Sequence, residues 1–124
     1  MKILVVDDEK DVEMLFRQKF RREINNGLEL VFAFSGQEAL EILEKTTPPN
    51  VMYIFSDINM PGMTGLELLK AIKKDFPTLK VMMVTAYGDD NNYKNAMDFG
   101  ADDFVTKPVD FNILKEKILT LAVK

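Results

Sequence analysis

Asp7, Asp8, Asp57, Thr85 and Lys107 each stand where an apolar run stops and a turn begins. Gathered in one place, these carboxylates, hydroxyl and ammonium are a set for phosphoryl chemistry on oxygen. Two like charges about 4 Å apart repel by about 4 kcal/mol at an effective dielectric of about 20, so three crowded carboxylates must raise their pKa values or recruit a cation. The cation expected is hard and oxygen-seeking, such as Mg²⁺. One such ion together with Lys107 would neutralise the three acids. Phosphoryl transfer needs little beyond an in-line nucleophile, a metal and cations on the equatorial oxygens, and Asp57 is the candidate nucleophile, as aspartate is in aspartyl-phosphate ATPases. Each residue alone has a plainer reading. Asp7-Asp8 suits a turn and a helix cap, Asp57 a solvated turn, Thr85 a strand-end hydroxyl bonded to backbone, and Lys107 a surface lysine. Their joint placement at successive strand ends carries the inference.

The apolar runs that position them are Ile3–Val6, Val51–Phe55, Val81–Val84 and Phe104-Val105. They are short and do not alternate, as strands buried on both faces of a parallel sheet should be. Leu28–Phe34 is partly alternating and reads as a second strand nearer an edge. Helical patterns lie between. Val12, Leu15, Phe16 and Phe20 make one stripe that Asn25-Asn26-Gly27 should stop. Ser35-Gly36-Gln37-Glu38 and Thr64-Gly65-Leu66-Glu67 have the capping-box pattern and open helices through Leu43 and Ile72, which Pro48-Pro49 and Pro77 should close. A polar helix carrying Tyr93, Ala96 and Met97 should stop at Gly100 and be the least firmly packed. Asp110 should cap a last helix with Phe111, Leu114, Ile118 and Leu121. Five βα units joined by right-handed crossovers predict an α/β, flavodoxin-like (βα)5 three-layer sandwich with strand order 2-1-3-4-5. All strand C-termini then share one edge, where such sheets bind ligands.

The 124 residues suit one domain, with no linker, repeat or low-complexity stretch. A net charge of −4 argues against nonspecific binding to nucleic acid. With no cysteine and no histidine, thiol and imidazole chemistry are excluded and oxygen ligands remain. The apolar runs are too short for a membrane span and no signal-peptide core follows Met1, so a cytoplasmic location is expected.

Val5-Val6-Asp7-Asp8-Glu9, the run Asp57–Gly65, Val84-Thr85-Ala86 and Gly100–Pro108 match, in order and spacing, the receiver domain of two-component response regulators, which the chain resembles over essentially its whole length. The resemblance implies one receiver domain over residues 1–124 and a phosphorylation-activated switch in a phosphorelay. Asp57 would be the phosphoacceptor, served by a sensor histidine kinase, a phosphotransfer protein or a small acyl phosphate. Asp8 and the backbone carbonyl of Asn59 would bind Mg²⁺ with Asp57, and Asp7 mainly through metal-bound water. Lys107 would pair with one phosphoryl oxygen and Thr85 would donate to another, while Phe104 swings inward behind Thr85. Phe104 has no hydroxyl, so its inward state would rest on packing, and it reads equally as an ordinary core aromatic. The readout face would be the fourth helix, fifth strand and fifth helix. Lys107-Pro108 is the candidate for a cis peptide bond, and Asn59 and Tyr87 would flank the phosphoryl group and tune its hydrolysis. Two positions depart from the family pattern: Thr64 stands where Asp is common, and Ser56 where an apolar residue is usual.

Three other readings compete. A Mg²⁺-dependent phosphohydrolase using Asp57 would need an acid two positions on, where Asn59 stands, and a cap domain. A flavin carrier would need a phosphate cradle and a stacking ring, and the chain has neither a Walker pattern nor Trp. A receiver acting as an unphosphorylated interaction module usually lacks one of the site residues, and all five are here. The chain carries no recognisable effector before it ends at Lys124, so output is expected through a downstream effector protein or an output domain of a longer regulator, with no turnover of an external substrate.

Overall fold

The computed structural model describes residues 2–45, 53–60, 62–86 and 88–122, with side chains as far as residue 118. The expected breaks at Pro48-Pro49, the start of the third strand at Val51-Met52, and the expectations for Tyr87 and the Leu121 side chain lie outside the described residues. The strands are β1 (Lys2–Val6), β2 (Glu29–Ala33), β3 (Tyr53–Asp57), β4 (Lys80–Thr85) and β5 (Asp103–Thr106). They form one parallel sheet in the order β2-β1-β3-β4-β5, the predicted order. The helices are α1 (Asp11–Lys19), α2 (Arg21–Asn25), α3 (Gly36–Glu44), α4 (Gly65–Asp75), α5 (Asp90–Asp98) and α6 (Phe111–Ala122).

Two hydrophobic clusters explain the unalternating strands. Leu4, Val6, Ile54 and Met83 pack on one face with Leu43, Leu69 and Ala96 of α3, α4 and α5. Ile3, Val5, Phe55 and Val84 pack on the other with Phe16 of α1, Leu114 of α6 and Phe20, which lies between α1 and α2. Every residue of β3 is buried, whereas the edge strands β2 and β5 are only partly so. Burial on both faces removes the polar side a two-residue period would require.

The predicted first helix is divided. Phe20 has φ −103° and ψ 17°, off the helical values, and separates α1 from α2. Hydrogen bonds from Phe20 N–H to Phe16 and from Ile24 N–H to Phe20 keep the path helical on either side. The bend seats the Phe20 ring, 2% exposed, against Phe16 and Phe111 at centroid distances of 5.6 and 6.1 Å. Both predicted glycine stops are Schellman motifs. Gly27 and Gly100 have positive φ and donate to Ile24 and Met97, while Leu28 and Ala101 donate to Glu23 and Ala96.

The caps follow their residues. Ser35 Oγ accepts from Glu38 N–H at 3.1 Å, but the Glu38 carboxylate returns to the N–H of Phe34, one residue before the cap. Thr64 and Glu67 close a full capping box, and Asp110 accepts from Asn112 and Ile113 at the start of α6. Thr64→Ala should therefore cost about 1 kcal/mol, read as a lower denaturant midpoint, while Thr64→Asp should retain most of the stability. Ala96 is the one fully buried residue of α5 among those described, which agrees with its thin apolar stripe.

Candidate functional site

Register brings the acids together. Val6 pairs with Ser56 across β1 and β3, so Asp7 and Asp57 leave their strands side by side at the sheet's central edge. The Asp7 N–H is held by the Ala33 carbonyl of β2 at 3.1 Å, and Asp57 lies in register with Val84 of β4. Asp7, Asp8 and Asp57 each offer a carboxylate oxygen, and these atoms all lie within 4.8 Å of one another. Asp57 is 3% exposed, Asp7 is half-buried and Asp8 is exposed.

The Asp57 carboxylate is held at both oxygens. Asp57 Oδ1 accepts the N–H of Asn59 at 3.2 Å, and Oδ2 accepts from Lys107 Nζ at 2.8 Å. Asp7 Oδ1 accepts the N–H of Glu9 at 2.9 Å in a local turn. Lys107 reaches the site from the end of β5, where its N–H donates to the Thr85 carbonyl at 2.8 Å and its peptide bond to Pro108 is cis.

Burial pushes the Asp7 carboxyl above its ordinary pKa, and the Asp57 and Asp8 charges add to that. The Glu9 N–H and the Lys107 charge pull it back only in part. Burial lowers Lys107, yet the Asp57 hydrogen bond and charge, followed by Asp7 and Glu9, outweigh it and leave the ammonium raised. The group therefore carries crowded negative charge that one lysine does not balance. Three clustered carboxylates with no soft donor among them fit a hard divalent cation such as Mg²⁺.

A cation bound only by the folded chain stabilises it by mass action. Mg²⁺ at ten- to a hundredfold over its Kd should raise the unfolding temperature by roughly 5–10 °C. Asp8→Ala should shrink that shift severalfold, as differential scanning fluorimetry with and without chelator would read.

Of the residues singled out from sequence, Asp7, Asp8, Asp57, Asn59 and Lys107 meet in one group. Thr85 ends the neighbouring strand and is 2% exposed. Phe104 lies further back on β5, its ring packed on Tyr93 of α5. Two supports were not foreseen. Gly65, read as part of a cap and as the end of the Asp57–Gly65 run, lies so close to the Asp57 and Ile58 backbone that a Cβ there would overlap it. Ser56, 1% exposed, satisfies its hydroxyl on the Asp57 carbonyl at 3.1 Å, which explains how a polar residue is tolerated beside Asp57. A cleft of about 540 Å³, walled by Val12, Leu15 and Val109, opens beside Asp7 and Lys107.

The chain as a whole has relatives among known proteins. The family model for the response regulator receiver domain matches residues 3–119. Sporulation initiation phosphotransferase F of Bacillus subtilis is 32% identical over 117 residues, covering 94% of this chain and 90% of that protein. A cyclic di-GMP phosphodiesterase of Thermotoga maritima is 34% identical over 118 residues, covering 95% of this chain but 30% of that protein. The response regulator TrrA of Thermotoga maritima, solved in complex with Mg²⁺ and BeF, superposes with a TM-score of 0.81 at 34% identity, covering 97% of each chain. Among the described residues, no helix is long and apolar enough to cross a membrane.

Proposed function

The chain belongs to the response regulator receiver domain family, and on that premise we propose that residues 1–124 act as one phosphorylation-activated switch with Asp57 as the phosphoacceptor. One observation carries the reading: a buried carboxylate, bonded to a lysine at 2.8 Å, stands beside two further acids at the C-terminal edge of the sheet. An Asp57 oxygen attacks phosphorus, an acyl-phosphate bond forms, and the donor's bond to phosphorus breaks with its electron pair leaving on the donor. The donor is a phosphohistidine of a sensor kinase or phosphotransfer protein, or a small acyl phosphate. The cleft beside Asp7, where Leu15 is 41% exposed, gives it access.

Asp8, Asp57 and the Asn59 carbonyl would hold Mg²⁺, with Asp7 acting through its water, and the ion would supply charge neutralisation at the phosphoryl oxygens. That the Thermotoga relative is solved in complex with Mg²⁺ and BeF supports Mg²⁺ as the ion. Asn59 N–H steadies the attacking carboxylate. Lys107, whose side chain is 42% exposed, is free to pass from the carboxylate to a phosphoryl oxygen as charge moves outward. Thr85 donates its hydroxyl to another phosphoryl oxygen and draws its loop towards the site, and Phe104 follows it inward. Asn59 and Tyr87 set the rate at which water reaches the acyl phosphate.

The α5–β5–α6 face, which is the predicted fourth helix, fifth strand and fifth helix, passes the state to a downstream effector or an attached output domain. Tyr93, Met97 and Ile113 are exposed there. The chain serves as a cytoplasmic signalling component that does not turn over an external substrate, and its likeness to a phosphotransferase of sporulation initiation supports a part in passing on phosphoryl groups. Incubation with Mg²⁺ and a small acyl phosphate, followed by intact mass, should add one phosphoryl group, and chelator should prevent it. Uptake that ignores chelator would contradict the cation's role, and no uptake by the folded chain would contradict the reading.

A further inference from the structure

The Phe104 ring is held from outside by α5. Its centroid lies 4.3 Å from that of Tyr93, with the ring planes 63° apart, an edge-to-face pair. Parallel register pairs Met83 with Phe104 and Thr85 with Thr106, so Phe104 and Thr85 share one face of the sheet, two residues apart in level. That face is the one α5 covers, since Ala96 packs in the same cluster as Met83. A displacement of Phe104 towards Thr85, itself 2% exposed, therefore runs beneath α5 and begins by leaving the Tyr93 ring. Tyr93 is 38% exposed and lies on the helix with one fully buried anchor among its described residues, so the pair is a substantial share of what joins α5 to the end of β5.

We propose that Tyr93 is a positioning residue of the switch: its ring retains Phe104 in the outward position and so sets the fraction of the chain that is ready to hold a phosphoryl group. This rests on the reading of Asp57 and Phe104 given above. An aromatic pair of this geometry changes an equilibrium by about two- to tenfold. Where the competent state is the minor one, apparent affinity for a ligand of that state follows its population. Removing the Tyr93 ring thus releases Phe104 and raises affinity for a phosphoryl mimic, whereas a merely structural aromatic, when lost, would lower it or leave it unchanged.

The test is titration with beryllium fluoride, a tetrahedral mimic of the phosphoryl group, in the presence of Mg²⁺, with bound fluoride followed by ¹⁹F NMR. Tyr93→Ala and Tyr93→Leu should each bind about two- to tenfold more tightly than the unaltered chain. Leucine keeps apolar bulk on the helix and guards against a folding defect in the alanine variant. Tyr93→Phe keeps the ring and should match the unaltered chain. Binding by the unaltered chain that is lost in Asp57→Asn, with both ring-deleting variants no tighter, would overturn the role of Tyr93 alone. Absence of Asp57-dependent binding in the unaltered chain would overturn the phosphoacceptor reading as well.

Discussion

Asp57→Asn is expected to take up no phosphoryl group under conditions that modify the unaltered chain, a loss of at least about a thousandfold in rate. The amide is close in shape and can still accept the Asn59 N–H that Asp57 accepts at 3.2 Å, but it has no carboxylate to attack phosphorus. The folded state should survive the change because two effects oppose each other. Losing the charge-assisted bond to Lys107 costs little more than about 1 kcal/mol, since the lysine side chain is 42% exposed and solvent screens it. Removing one of three carboxylates clustered within 4.8 Å relieves a larger repulsion, about 4 kcal/mol for a pair about 4 Å apart at an effective dielectric of about 20. Metal-free stability should therefore be retained or rise, while the rise in unfolding temperature with Mg²⁺ should largely vanish. Intact mass and thermal unfolding on one preparation would read both results. Undiminished uptake in this variant would assign the acceptor elsewhere.

Gly65→Ala should destabilise the chain by about 2–4 kcal/mol although alanine is the better helix former. A Cβ at Gly65 would overlap the Asp57 carbonyl oxygen and lie 2.6 Å from Ile58 Cα and 2.9 Å from the Asp57 carbonyl carbon. All three are backbone atoms of a segment that cannot easily withdraw. Ile58 N–H is bonded to the Val84 carbonyl at 3.2 Å, and Gly65 N–H to the Ile58 carbonyl at 2.8 Å. The helix gain of about 1 kcal/mol is outweighed by the overlap, and relaxation would displace Asp57 itself. Phosphoryl uptake should slow as stability falls, with both read from a urea titration and a mass time course. Gly36→Ala is the contrasting case. There the three atoms nearest the added Cβ all belong to the adaptable Met63 side chain, Sδ at 2.8 Å, Cγ at 3.0 Å and Cβ at 3.1 Å, so its cost should be smaller, about 1 kcal/mol.

The strand order and the carboxylate group were legible because both follow from local pattern. Doubly apolar runs such as Ile3–Val6 mark strands covered on both faces, and parallel strands with right-handed crossovers align their C-termini. Gly27 and Gly100 stop helices wherever the chain later packs. Features that depend on contact between distant segments carried no such mark. The bend at Phe20 comes from the space between Phe16 and Phe111, and nothing in the spacing of α1 announces it. Gly65 satisfies a cap pattern, and that sufficient local reason conceals its closer role beneath Asp57. Asp102 accepts from Lys73 Nζ and from Val81 N–H, each at 2.8 Å, tying the loop before β5 to α4 and β4. As the first of two adjacent aspartates, two positions after Gly100, it gave no sign of partners 29 and 21 positions away. The Lys107 contact to Asp57 was expected only through a phosphoryl group, and the direct bond shows the ammonium already drawn in by the acids' charge.

Which carboxylate takes the phosphoryl group is decided by chemical trapping. The chain is treated with Mg²⁺ and a small acyl phosphate, then with borohydride, which reduces an acyl phosphate to the alcohol and leaves free carboxylates intact. Peptide mass mapping should place the reduced residue at position 57 and at no other acid. Reduction at Asp7 or Asp8, or at an acid outside the group, would contradict the assignment of Asp57 as the buried nucleophile.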